Sequence, residues 1–177
     1  MGRVTNIAIA AGLAVLGVAV ASLPERAEAQ RANPFAERLL DAHNAERRQM
    51  NVPPLKWSPK LAREAQQWAK YLAGQGRMIH ADRNQRGHAG ENLWRGSAGD
   101  YSAEFMVGAF AAEKRHFTNG TFPDVSRTGQ WRDVGHYTQV IWRGTEEVGC
   151  AIARGQRDDF LVCRYWPAGN FYGQKVY

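Results

Sequence analysis

Apolar positions recur in two rhythms along this 177-residue chain: three-to-four through most of its length, and closer to two in its C-terminal quarter. In "NPFAERLLDAHNAERRQM", Asn33 offers an N-cap and Pro34 stands at the first helical position, where its missing N–H costs nothing. Phe35, Leu39, Ala42, His43 and Glu46 then share one helical face, and Pro53-Pro54 stops the helix. "SPKLAREAQQWAKYLAGQG" repeats the pattern: Ser58 as cap, Pro59, a stripe of Leu61, Ala65, Trp68, Ala69 and Leu72, and Gly74 near the end. Between Gly76 and Gly99 the pattern fades, and a Gly-, Arg- and His-rich stretch reads as a long loop. "DYSAEFMVGAFAAEKRHF" predicts a third helix with Phe105, Ala109, Ala112 or Glu113, and His116 along its face. Gly120 to Gly135 reads as irregular.

The period then changes. "TQVIW", "EVGCAIAR" and "DFLVCRYWP" are rich in β-branched and aromatic residues and predict strands. Within "GHYTQVIWRGT", residues 135 to 145, His136 and Gln139 sit among Tyr137, Val140, Ile141 and Trp142, so the reading places a histidine on a buried strand. Helices followed by an antiparallel sheet give the α+β class, and strands this apolar call for helical cover on both faces. The chain has two cysteines, Cys150 and Cys163, flanking two apolar runs around a polar, Gly-containing turn. That is a β-hairpin signature. If the cysteines face each other, Ile152 opposes Leu161 and Val148 opposes Tyr165. Neither lies in a nucleophile motif, so the pair reads as a structural disulfide, contributing about 3 kcal/mol by loop closure.

The N-terminus changes the picture of location. Arg3 precedes an apolar run from Ile7 to Ala21, and Ala27 and Ala29 make a small-x-small cleavage pattern. Residues 1–29 are therefore expected to be a signal peptide, with a single domain over residues 30–177 in a secreted or periplasmic protein. Fifteen apolar residues, many of them Ala or Gly, fall short of a bilayer span. Removing this segment leaves the net charge of +6 unchanged. Its basic residues are scattered rather than gathered in a run, which argues against a nucleic-acid partner.

The five histidines show no i, i+3 or i, i+4 pairing, and neither a zinc-protease helix nor a serine-nucleophile elbow occurs. From spacing alone each histidine reads as structural. His43, Asn44 and Arg47 form a polar set on the first helix, suited to tying helix to sheet.

Four segments taken together say more. "HNAER" (43–47), "GENL" (90–93), "GHYTQVIWRGT" (135–145) and "FLVCRYWPAGNF" (160–171) resemble, in order, the motifs of the CAP superfamily. This SCP-like superfamily comprises cysteine-rich secretory proteins, antigen 5 and pathogenesis-related proteins. The resemblance covers residues from about 35 to 177. It implies a three-layer α-β-α sandwich around a central antiparallel sheet, with a cavity lined by two histidines and two acids. Matched residue by residue, these are His80, Glu91, Glu113 and His136, with His88 as a nearby rival to His80. Glu113 lies in "FAAEKRHF", where the family pattern resembles W-x-x-E-x-x-x-Y; Phe110 and Phe117 replace a Trp N–H and a Tyr hydroxyl. His80 and His136 are the expected ligands of a weakly bound divalent metal such as zinc, with the carboxylates fixing their tautomers. The resemblance further implies a non-enzymatic protein with a lipid, a sterol or another extracellular molecule as partner. No residue match carries the lipid over. The rivals are a metal-assisted hydrolase with Glu91 or Glu113 as general base, and a protein-interaction module.

Overall fold

The computed structural model describes residues 1–2 and 33–177. Nearly all of the expected signal peptide, including its cleavage site after Ala29, lies outside the described residues.

Helix α1 spans Pro34–Gln49, and the Asn33 side chain accepts from Phe35 N, so the first helix starts as its sequence predicts. Strand β1 is two residues, Lys56–Trp57, and helix α2 follows over Pro59–Gln75. Leu61, Ala65, Ala69 and Leu72 of α2 are buried, while Trp68 is only half-buried. Gly76 (φ +63°) closes the helix in the left-handed conformation, two residues beyond the expected Gly74. Strand β2 covers Gly90–Ser97, α3 covers Ala103–Ala111, and a 3₁₀ turn continues it through Ala112–His116. A second 3₁₀ turn, Trp131–Asp133, leads into α4, Gly135–Ile141. Strands β3 (Glu147–Arg154) and β4 (Asp158–Trp166) complete the fold.

The sheet runs β1-β3-β4-β2. β3/β4 and β4/β2 are antiparallel, and only the short β1 pairs parallel, with β3. Alternation along β4 separates two cores. Phe160 and Val162 pack with Leu93 beneath Ala65, Ala69 and Leu72 of α2. Leu161, Cys163 and Tyr165 face the other way, into a larger core with Leu39 of α1, Met106, Val107 and Phe110 of α3, and Val140 of α4. The result is the expected α-β-α sandwich. Close approach sets its thickness: at Gly149 on β3, a Cβ would stand 2.3 Å from Ala62 N of α2. The hairpin register is as expected, with Cys150 opposite Cys163, Ile152 opposite Leu161 and Val148 opposite Tyr165. The cysteines are bonded to each other.

Three expectations need correction. "GHYTQVI" is helix α4, not a strand, so His136 stands in a helical first turn. Its β-forming residues misled, because Tyr137, Val140 and Ile141 already follow a three-to-four spacing that buries them together. "GENLWRGS", read as part of a loop, is strand β2; two glycines and an arginine mask it, yet it pairs with β4 along its whole length. In α3 the buried face is Ala103, Met106, Val107, Phe110 and Ala111, whereas Phe105 is 54% exposed. A helix this apolar has no polar stripe to fix its phase. Phe105 instead packs on Tyr101, which stands edge-on to Trp94.

Candidate metal and ligand cavity

The polar set on α1 anchors helix to sheet, as expected. Arg47 is fully buried and donates to four carbonyls, those of Pro53, Val140, Trp142 and Thr145. Burial lowers its pKa to about 10, above any physiological pH, so it remains a cation. Asn44 brackets Leu55, donating to its carbonyl and accepting from its N–H. His43 stands 2.7 Å from Leu39 O through Nδ1 and 2.8 Å from Tyr165 Oη through Nε2. The carbonyl can only accept, so Nδ1 carries the proton and Tyr165 donates to Nε2. Asn92 Nδ2 donates to the same Tyr165 oxygen, extending the chain of bonds to β2. Desolvation, reinforced by the Arg47 charge and opposed by the Leu39 carbonyl, pushes the His43 pKa down to about 4. Among the described residues, His43, Cys150 and Cys163 are the one group of three His, Cys, Asp or Glu residues whose ligand atoms lie within 4.8 Å of each other. It is not a metal site: the sulfurs are bonded to each other and both His43 nitrogens are engaged.

At the Gly90 end of β2 lies a cavity of about 780 Å³, and His80, Glu91 and His136 line it together. His80 arrives on the loop after α2, which Trp68 tethers by donating Nε1 to Ile79 O. Its Nδ1 lies 2.7 Å from Glu91 Oε1, which also accepts from Ala81 N at 3.0 Å. Glu91 is directly opposite Arg164 in the sheet, and both side chains are buried. Arg164 Nη2 stands 3.0 Å from Glu91 Oε2, an ion-pair distance without hydrogen-bond alignment. Arg164 Nε and Nη1 find no partner among the described residues. Desolvation lowers the Arg164 pKa, and the Glu91 charge opposes that shift.

His136 comes from α4. Gly90 admits this helix beside β2, since a Cβ there would stand 2.1 Å from Gln139 Oε1. α4 has no side-chain cap of its own. Glu113 supplies one from the turn after α3, its Oε2 accepting from His136 N at 2.9 Å and Tyr137 N at 3.1 Å. Glu113 Oε1 lies 2.6 Å from His136 Nδ1. Glu113 is thus behind His136 rather than on the cavity wall. Phe110 stacks on the His136 ring (5.3 Å between centroids), and Phe117 stands edge-on to Tyr137. The two phenylalanines lack the polar groups of the family pattern, yet Glu113 still meets three polar partners.

Both imidazoles therefore present Nδ1 to a carboxylate, and neither Nε2 has a hydrogen-bond partner among the described residues. With Nδ1–H donating, each Nε2 keeps a free lone pair, the donor a divalent cation uses. His88 lines the same cavity with φ +63° and no side-chain bond to a described residue. The His116 ring accepts from Arg115 Nε and is not part of the cavity lining. The sequence reading missed Arg164, although a lone charge inside "FLVCRYW" was the visible signal. It also missed that Arg83, Arg86 and Arg132 gather at this one cavity.

The model of the CAP family, the cysteine-rich secretory protein family, matches residues 40–165. This chain belongs to the CAP family. The CAP chain is 35% identical over 139 residues to the PR-1-type pathogenesis-related protein of Sambucus nigra, covering 78% of itself and 79% of that protein. It is 36% identical over 139 residues to pathogenesis-related protein 1A of Nicotiana tabacum, with 78% of each covered. Among solved structures it resembles NaASP2, crystallised with Zn²⁺, at a TM-score of 0.72 and 24% identity over 82% of this chain and 86% of that one. That likeness supports the CAP fold seen here. Among the described residues, no helix is long and apolar enough to cross a membrane.

Proposed function

We propose that this CAP protein works outside the cytoplasm as a non-catalytic binder of a divalent cation, zinc being the best match. The single observation behind this is the pair of free Nε2 atoms, on His80 and His136, each backed by a carboxylate at Nδ1. Two imidazole nitrogens suit zinc, copper or nickel better than magnesium or calcium, which take oxygen. His80 and His136 would hold the ion, while Glu91 and Glu113 fix the tautomers. Two protein ligands make a weak, open site. NaASP2 with Zn²⁺ is a precedent within the fold.

The same contacts weigh against a hydrolase. A general base needs a carboxylate oxygen free to take a proton from water. Glu91 faces His80, Ala81 N and Arg164, and Glu113 faces His136 and two backbone N–H groups. Three arginines on the cavity wall, Arg83, Arg86 and Arg132, favour a polar ligand over an acyl chain or sterol. Export through a leader ending at Ala29 fits the disulfide, which forms in an oxidising compartment.

Titration calorimetry with zinc tests the reading. His80→Ala and His136→Ala should each abolish measurable binding, and His88→Ala should leave it near that of the parent. Zinc should also raise the melting temperature of the parent alone, because a ligand bound only by the folded state stabilises it. Undiminished zinc binding by both alanine variants would overturn the assignment.

A further inference from the structure

The cavity wall beyond the histidines has a charge that a bound cation does not explain. Arg83 makes no side-chain hydrogen bond or ion pair with a described residue, although it lines the cavity. Arg132, also on the wall, lies over the Trp131 ring at 4.9 Å and has no carboxylate partner among the described residues. Arg86 spends Nη1 on Ala89 O, while its buried Nε has no partner. Glu91 is the one acid on the wall, and it already faces His80 and Arg164. A divalent ion on two neutral imidazoles would add positive charge to this surplus. What fills the remaining space should therefore carry oxyanions.

Part of the wall is aromatic. Trp131 and Tyr172 both line the cavity, and both rings rest on the buried Phe122, at 5.2 Å and 5.4 Å between centroids. Tyr172 is nevertheless 68% exposed. Rings held in place by a core residue yet open to solvent are pre-organised to stack on a flat ligand, and pre-organisation lowers the entropic cost of binding. About 780 Å³ is also within the range of small-ligand sites.

We propose that this cavity binds an acidic saccharide, a polyhydroxylated ring bearing carboxylate or sulfate. Arg83, Arg86 and Arg132 take the oxyanion, and Trp131 and Tyr172 take the face of the ring. Guanidinium forks match carboxylate and sulfate oxygens in pairs, which a scattered lysine surface does not. The proposal rests on the divalent-cation reading for one of its anchors, since the ion's open positions would face the same oxyanion. The arginines and the aromatic wall stand without it.

The test is calorimetry of the full exported protein with trigalacturonate, its neutral counterpart galactotriose, and adenosine monophosphate, each with zinc and with chelator. Trigalacturonate should bind at least tenfold more tightly than galactotriose, and more weakly as salt is raised. Arg83→Ala with Arg132→Ala should lower that affinity about tenfold or more, the usual effect of losing a charge-assisted contact, while zinc binding stays unchanged. Tyr172→Ala should weaken it with zinc binding again intact. Equal binding of the acidic and neutral sugars, tighter binding of the nucleotide, or a double-arginine variant that binds like the parent would each overturn the proposal. Trigalacturonate binding that persists in a protein unable to bind zinc would refute the cation reading while supporting this one. Zinc binding without trigalacturonate binding would do the reverse.

Discussion

Replacing each cavity acid by its amide separates a binding site from a structural network. Glu91 and Glu113 make the same contact, carboxylate to histidine Nδ1, at 2.7 Å and 2.6 Å. Their other contacts differ. The Glu91 side chain is fully buried against Arg164, itself 3% exposed, with two guanidinium nitrogens already lacking partners. In Glu91→Gln that cation keeps its charge and loses its one ion-pair partner among the described residues. Breaking a buried pair from one side costs about 3–5 kcal/mol. The amide oxygen can still accept from Ala81 N, so about 3 kcal/mol is expected. Glu113 is 21% exposed and pairs with no Arg or Lys among the described residues. In Glu113→Gln the amide oxygen can still cap His136 N and Tyr137 N, and the expected cost is about 1 kcal/mol.

Toward zinc the two substitutions should differ in the opposite sense. In Glu113→Gln the oxygen that caps the helix leaves the amide nitrogen to donate to Nδ1, moving the imidazole proton to Nε2, where the metal should bind. In Glu91→Gln the oxygen that accepts from Ala81 N also accepts from His80 Nδ1, so Nε2 keeps its lone pair. Loss of such a partner should lower the zinc affinity of Glu113→Gln by about 10–100-fold, and Glu91→Gln should lose less. Urea unfolding in chelator and zinc calorimetry on the same three proteins read both quantities. A larger stability loss in Glu91→Gln together with a larger loss of zinc binding in Glu113→Gln supports the reasoning. Glu113→Gln that binds zinc like the parent, or that destabilises as much as Glu91→Gln, would refute it.

Two further outcomes concern the anchor on α1. Arg47→Met should destabilise by about 3–5 kcal/mol in urea unfolding, because it strips four buried or part-buried carbonyls of their donor; Arg47→Lys should recover only part, lacking the fork that reaches them all. His43, held neutral by burial down to about pH 4, should make the protein acid-sensitive. Its folded pKa is depressed, so between about 6.5 and 4 the unfolded chain takes up a proton that the folded ring refuses, and stability falls with pH by up to about 3 kcal/mol. His43→Gln should show a shallower decline over that window in urea midpoints; parallel curves would mean that other groups dominate.

Much of the fold is legible because strong local signals agree with the tertiary structure. Prolines at the first turns of α1 and α2 and the paired cysteines of the hairpin fix starts and register without knowledge of neighbours. Strand β2 was hidden because its partner β4 is distant in sequence, and Gly90 and Gly96 leave little alternation to read. The sequence places α3 but leaves its phase open, since nearly every position in it is apolar and only the neighbours decide which face is buried. The cavity histidines and acids came from resemblance, not spacing: His80 and His136 lie on separate segments, and each is oriented by an acid at least eleven positions away.

His136 shows why the misread element matters chemically. On a strand, a buried histidine would have needed partners from neighbouring strands, and the acid beside it would have been a second ligand or a base. On α4 the backbone itself changes the role of that acid. The first-turn N–H groups of His136 and Tyr137 are orphaned donors, and Glu113 Oε2 satisfies both while Oε1 meets the ring. One carboxylate therefore fixes helix position and imidazole tautomer together. It spends its acceptors doing so, which leaves Nε2 as the group His136 presents to the cavity. Binding there follows from how the helix is capped.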